Sequence, residues 1–298
     1  MIKQRFLLVS DIHYTVEPSC ELLKKHCPEV SPDEIQGNSF GITQRQKAER
    51  VYLDIMEAHR RHPLDAVFIL GDLSSDDYGI KELSVSYCKN FKEEFLDRLP
   101  VPSYAIPGNH DSWPNDLWRE MMGTDRQIAL ELGDCAFILA DTFPHTPATK
   151  GANPAVPPDG EFLRANLEKY KGKRIFICAH YLDRALFTEM TKRLICESGD
   201  VVFMYRGHTH ANSVIDMGEE YGNVKLFDIG GYASGGRVLD GIDDPNFFKL
   251  ETAWGYQILE IHDDHIKTYH IKPAMRYLAT NGVFNVEETV LDDVEYKL

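Results

Sequence analysis

Phe6-Leu7-Leu8-Val9-Ser10-Asp11-Ile12-His13 is a short apolar run that ends in a carboxylate and an imidazole. The same pattern returns along the chain. AVFIL (66–70) leads into Gly71-Asp72, and SYAIP (103–107) into Gly108-Asn109-His110-Asp111. RIFICA (174–179) leads into His180, and VVFMYR (201–206) into Gly207-His208-Thr209-His210. Apolar runs of four to six residues rich in Val, Ile, Leu and Phe read as strands buried on both faces. In open α/β sheets, ligands bind just beyond the carboxyl ends of such strands. The polar ends of these runs, spread over two hundred positions, are therefore expected to meet on one rim.

Working outward, the runs alternate with helical segments. A helix is expected from about Thr43 to His62, with Thr43 as its cap, Gln46 in capping-box spacing and Pro63 as its stop. Further helices are expected at about 80–98, 115–122, 160–170 and 184–197. The stretch with Pro18, Pro28, Pro32 and Gly37 reads as irregular. RQIALEL and CAFILAD, split by Gly133-Asp134, read as a hairpin. After residue 211, NSVIDM, VKLFDI, GYQILEI and HIKTYHI read as antiparallel strands. The early βαβ units require right-handed crossovers. With the later hairpins they predict an α/β (α+β) fold: a four-layer α/β/β/α sandwich of two packed mixed sheets flanked by helices. One domain is expected over 1–275, with 276–298 as its acidic, weakly patterned extension.

At 298 residues and 43% hydrophobic content, the chain belongs with globular proteins. No stretch reaches the roughly 18 to 20 apolar residues that cross a bilayer. The run in MIKQRFLLVSDIH is too short for a secretion signal and reads as a core strand, so a cytoplasmic location is expected. A net charge of −15 argues against binding to duplex nucleic acid or to an anionic membrane. Bound metal ions would reverse that sign locally and admit a small anionic substrate. The six cysteines form no Cys-x-x-Cys pair, which fits free thiols in a reducing compartment.

Asp11, His13, Asp72, Asn109, His180, His208 and His210 offer imidazole nitrogens and side-chain oxygens but no sulfur. Such donors suit Zn, Mn, Fe or Ni better than copper(I) or an iron–sulfur cluster. Seven donors exceed what one ion needs, and two ions sharing a carboxylate account for the number. In an extended Gly-His-Thr-His segment, His208 and His210 would project to the same side.

These five blocks, in this order over residues 5–211, resemble the calcineurin-like metallophosphoesterase family. GNHD and GHTH are the most specific of them. The resemblance implies two divalent or trivalent transition-metal ions (Mn, Fe or Zn). Asp11, His13 and His210 would hold one, Asn109, His180 and His208 the other, and Asp72 would bridge them. Two such cations, about 3.5–4 Å apart, clamp a phosphoryl group and turn a bridging water into hydroxide that attacks phosphorus in line. His110 would then face the substrate oxygens as a catalytic group that stabilises charge on the phosphorane or protonates the leaving alkoxide. Asp111 would orient the His110 ring, an ordinary loop-capping role being the alternative.

The same blocks are similar to the cyclic-nucleotide and glycerophosphodiester branch, which implies a small phosphodiester as substrate. A phosphomonoesterase is the alternative, and a silent metal-binding scaffold is the alternative of another class. The Pro-rich segment 143–160 reads as a long loop of the kind that forms lids. His145 within it is one substrate-binding candidate. Tyr232 and Arg237, in the glycine-rich turn after VKLFDI, are the others, although a plain turn is the preferred reading there. Asp141 reads as a hydrogen-bonded loop carboxylate rather than an eighth ligand. Tyr14, Tyr181 and Trp113, beside the motifs, are read as wall or core packing with substrate contact as the alternative.

Overall fold

Phe6 and Leu8 pack on one side of the first strand and Leu7 and Val9 on the other, and both sides are buried. That double burial is what a continuous apolar run requires, and it recurs in each central strand. Residues 1–14, 17–26, 28, 44–74, 80–111, 113–143, 154–232, 254–279 and 282–297 are described in the computed structural model of the chain.

One six-stranded sheet comprises β1 (Ile2–Val9), β2 (Ala66–Leu70), β3 (Ser103–Ile106), β10 (Tyr256–His262), β11 (His265–Lys272) and β14 (Thr289–Lys297). Its order is β14-β11-β10-β1-β2-β3. The other comprises β4 (Ile128–Leu132), β5 (Cys135–Ala140), β6 (Arg174–Ala179), β7 (Val201–Arg206), β8 (Asn212–Asp216) and β9 (Lys225–Ile229). Its order is β4-β5-β6-β7-β9-β8. β1, β2 and β3 run parallel, as do β5, β6, β7 and β9. A separate ribbon pairs β12 (Met275–Ala279) with β13 (Gly282–Val286).

The sheets pack through Phe6, Leu8, Phe68 and Leu70 of the first and Phe137, Phe176, Cys178 and Tyr205 of the second. Phe137 stacks on Phe68 with ring centroids 4.2 Å apart and meets Phe6 edge-on at 4.9 Å. Each such buried ring contributes on the order of 2–3 kcal/mol from area alone. Helices cover the outer faces. α1 (Glu17–His26) is followed by α2 (Gln44–Arg61), α3 (Lys81–Glu94) and α4 (Asn115–Met122). Val51, Ile55, Leu83, Phe91 and Trp118 from the last three pack on Leu7, Val9, Val67 and Ile69 of the first sheet. Leu163 of α5 (Gly160–Lys169) and Ile195 of α6 (Glu189–Ser198) pack on Ile138, Ile175 and Ile177 of the second. The four layers are thus those expected.

Four details differ from the sequence reading. α1 forms in a stretch read as irregular, because Pro18 falls in its first turn, where a missing N–H breaks no helical bond. α6 begins at Glu189 rather than 184, because the Thr188 hydroxyl accepts from Thr191 N at 3.2 Å and caps it there. β9 is not purely antiparallel: it inserts between β7, to which it is parallel, and β8. The weakly patterned C-terminus supplies β14, the edge strand beside β11, and its alternating acids suit an edge half open to water.

Candidate metal centre

The carboxyl ends of β1, β2 and β3 meet those of β6 and β7 on one rim. The sheets are joined there by His180, whose Nδ1–H donates to the Leu70 carbonyl at 2.7 Å. That bond keeps a proton on Nδ1 and leaves Nε2 as the nitrogen facing the rim. His180 Nε2 stands 3.2 Å from Asp72 Oδ2, and His13 Nε2 stands 3.5 Å from the same oxygen. Asn109 Oδ1 lies 3.0 Å from His180 Nε2 and 2.7 Å from His208 Nδ1. On the other side His210 Nε2 is 3.2 Å from Asp11 Oδ1.

The donors fall into two groups that share one member. Asp11, His13, Asp72 and His210 offer ligand atoms all within 4.8 Å of one another, and so do Asp72, His180 and His208. Asn109 belongs beside the second group by its two contacts. Asp11, Asp72 and His180 are essentially sealed from solvent, and His208 and His210 are half-exposed at the mouth.

The backbone is shaped for this convergence. Among the described residues, six non-glycine positions have positive φ, and five are the donors Asp11 (55°), His13 (50°), Asp72 (48°), His208 (66°) and His210 (49°). This left-handed conformation is strained for residues with a Cβ, and such strain concentrates at functional sites. It also corrects the extended reading of the Gly-His-Thr-His segment. The backbone curls at both imidazoles, and they serve different groups. The close approach of the loops explains two glycines. A Cβ on Gly108 would collide with the Asp72 backbone and carboxylate, and one on Gly207 with Ser10 and Asp11.

Electrostatics follow from packing carboxylates among imidazoles. Burial raises the Asp72 pKa, but His180, His110 and His13 outweigh it and hold the carboxyl well below its ordinary value. Burial pushes His13 down to about 3, with Asp72 opposing and His110 reinforcing, so its imidazole is neutral and able to coordinate. Burial also opposes charge on His180, but Asp72, Asp11 and the Leu70 carbonyl lift it to about 9.

Asp11 Oδ2 accepts from the Ser10 hydroxyl at 2.6 Å and from His208 N at 3.0 Å. Its Oδ1 is buried with no aligned hydrogen-bond donor. A sealed carboxylate oxygen facing imidazoles, with only nitrogen and oxygen donors around it, fits a cation.

The sequence profile of the calcineurin-like phosphoesterases matches residues 4–212. The chain belongs to that family. It is a metal-dependent phosphoesterase, and its two donor groups fit the dinuclear centre that the family implies. A dimetal phosphatase from Danio rerio is similar in structure, with a TM-score of 0.60 at 13% identity, covering 98% of this chain and 99% of that one. GAP50, the anchor in the inner membrane complex of Plasmodium, is similar with a TM-score of 0.50 at 11% identity, over 98% of this chain and 89% of that one. At such identities the likeness is one of fold. No curated protein matches the chain.

His110 of the phosphoesterase is tied by its backbone N–H to Asp72 Oδ1 at 3.0 Å. Its half-exposed ring lies 5.0 Å from that of His13. Asp111 does not orient it. The Asp111 carboxylate is fully buried and accepts from Leu73 N, Ser74 N, Ser74 Oγ and Gly108 N at 2.8–3.1 Å. It staples the loop after β2 to the loop after β3. Burial and the nearby Asp72 push its pKa up to about 6 against those amides.

Tyr232 is not a substrate contact either. It is fully buried, its hydroxyl donates to Asp54 at 3.0 Å, and its ring packs on Trp254. His145 and Arg237 lie outside the described residues. Asp141 pairs with Arg126 at 2.7 Å, as a loop carboxylate should. Tyr14 and Trp113 are core residues, whereas Tyr181 is half-buried with its ring 4.8 Å from that of His208.

Two residues at the centre escaped the sequence reading. Ser10 holds Asp11, and Phe143 packs on His180 and His208 at 5.4 and 5.6 Å. Ser10 had a signal, a hydroxyl closing an apolar run. Phe143 had none, because its role depends on where the loop after β5 lands.

Proposed function

We propose that this phosphoesterase hydrolyses a small phosphodiester at the rim. In this reading Asp11, His13 and His210 hold one cation, and Asn109, His180 and His208 hold the second. Asp72 is shared, and its position carries the proposal: one oxygen faces both His13 and His180, and the carboxylate belongs to both donor groups. When bound, the two cations supply Lewis acidity to phosphoryl oxygens and acidify water. Any of Mn, Fe or Zn suits the donor set. Two divalent ions against Asp11 and Asp72 leave the rim positive, so it attracts an anionic ester although the chain carries −15 overall. Asn109 coordinates without cancelling that charge.

His110 acts on the leaving group. Its anchored backbone and its ring at the mouth support a role in protonating the departing alkoxide or stabilising charge on phosphorus. Asp111 contributes by holding the two loops that carry Asp72 and Asn109.

Two observations favour a diester over a monoester. The GNHD and GHTH blocks resemble the cyclic-nucleotide and glycerophosphodiester branch. Moreover, the buried arginines behind the rim are already engaged, Arg126 with Asp141 and Arg206 with Asp228, so neither meets a second phosphate charge. Among the described residues, no helix is long and apolar enough to cross a membrane. Buried free thiols at Cys135 and Cys178 fit a reducing, cytoplasmic setting. The test is turnover by the Mn²⁺-loaded protein of bis(p-nitrophenyl) phosphate against p-nitrophenyl phosphate. At least tenfold higher kcat/KM on the diester is expected, and the reverse order would make the chain a monoesterase.

A further inference from the structure

We propose that the buried Arg206–Asp228 ion pair positions the imidazole donors by gripping both loops that carry them. This rests on the metal-centre reading above. Arg206 ends β7 and Asp228 lies in β9, and both are almost fully buried, at 6% and 3% exposure. Arg206 Nε donates to Asp228 Oδ1 at 2.5 Å and an outer nitrogen to Oδ2 at 3.2 Å. Its other outer nitrogen donates to the carbonyl of Leu182, two residues beyond His180. The guanidinium also sits 5.5 Å over the Tyr181 ring, which in turn packs against His208.

Asp228 holds the other loop. Thr209 donates its hydroxyl to Asp228 Oδ1 at 2.8 Å, and the Ser213 hydroxyl donates to Oδ2. Thr209 lies between His208 and His210, the two donors with left-handed backbones at φ 66° and 49°. The Thr209 amide donates to the Gly207 carbonyl at 2.7 Å, and Ala211 N donates back to the Thr209 hydroxyl at 3.3 Å. A strained loop relaxes unless its surroundings over-determine it. Here the side chain between the strained residues is held by a carboxylate that is itself held by an arginine.

The residues do not touch the rim's donor atoms. They act through Thr209 and Leu182, as partners behind ligands commonly do. Asp228 carried a sequence signal, an acid inside the apolar run KLFDI, but nothing in the sequence assigns it a partner.

The test is calorimetric titration of Mn²⁺ into the metal-free full chain. Thr209→Val keeps the shape of the side chain and removes the donor, and about tenfold or greater loss of Mn²⁺ affinity is expected. Thr209→Ser restores the hydroxyl and should bind within threefold of the wild type. Ser213→Ala removes a bond to the same carboxylate from outside the donor loops and should also stay within threefold. Asp228→Asn should weaken Mn²⁺ at least as much as Thr209→Val, with folding checked by circular dichroism. Wild-type affinity in Thr209→Val overturns the proposal even if Asp228→Asn fails to fold. An equal loss in Ser213→Ala overturns it too, because general loosening then explains the effect. A wild type that takes up no Mn²⁺ overturns the metal-centre reading itself.

Discussion

The buried stretch of β1 opens on Arg5 and leads to Asp11 just past the strand, and the two charges are treated in opposite ways. At its start Arg5 pairs with Glu260 at 3.1 Å, with both side chains under a tenth exposed. Arg5 also donates to the carbonyls of Ala58 and His62, and Tyr269 donates to Glu260 at 2.8 Å. Every partner there comes from the chain. Six residues on, about 20 Å along the strand, Asp11 and Asp72 are as deeply buried but face imidazoles and an amide, with no lysine or arginine among the described residues on either carboxylate. A buried carboxylate without a full counter-charge is strongly disfavoured. The contrast separates a closed end, neutralised from within, from a rim built to take its positive charge from outside.

The largest test of this contrast is Asp72→Asn. It keeps the shape of the shared ligand and removes its charge. Activity should fall at least about 10³-fold, roughly 4 kcal/mol in transition-state terms, while circular dichroism stays native. Turnover equal to the wild type would end the assignment of the centre. The counterpart at the closed end is Glu260→Gln. Stranding Arg5 should lower stability by about 3–5 kcal/mol in urea unfolding and leave Mn²⁺ affinity unchanged. A loss of metal affinity there would show that the ends are not independent.

His110→Ala should reduce kcat about 10²-fold or more while Mn²⁺ binding persists; loss of binding would make His110 a ligand. A smaller effect concerns protons. His180, lifted to about 9, carries a proton at pH 7 that a cation must displace. Second-site affinity should therefore rise with pH, by up to tenfold per unit, and level off above about 9. Calorimetry in buffers of different ionisation enthalpy should show about one proton released at pH 7 for the ion that His180 holds. Proton-free binding would show that His180 is already neutral at pH 7. Smallest, Tyr232→Phe should cost about 1 kcal/mol of stability and leave KM unchanged, as befits a hydroxyl spent on Asp54.

Most of the fold was legible because buried parallel strands write themselves as unbroken apolar runs. FLLV, AVFIL, RIFIC and VVFMY mark β1, β2, β6 and β7 directly. The identities of the convergent residues were legible for the same reason, as strong polar groups set at strand ends. What sequence did not carry was partnership. The sequence leaves Asp111 either orienting His110 or capping its loop, and the structure shows the second, with amides from a loop 37 residues earlier. Tyr232 looked like a loop residue near the rim, yet its partner, Asp54, is 178 residues away. Backbone hand was hidden as well. Nothing in Gly-His-Thr-His announces two left-handed imidazoles, because that conformation is imposed by the packing around it. β14 was missed because an edge strand with alternating acids resembles a tail.

Left-handed aspartates and histidines have a further consequence. Glycine at Asp11, His13, Asp72, His208 or His210 would relieve torsional energy that the present side chains store, of order 1 kcal/mol at each position. The rim is therefore under two opposed selections, one for coordination and one for ease of folding. A descendant relieved of hydrolysis could drift toward greater thermal robustness by discarding these very side chains.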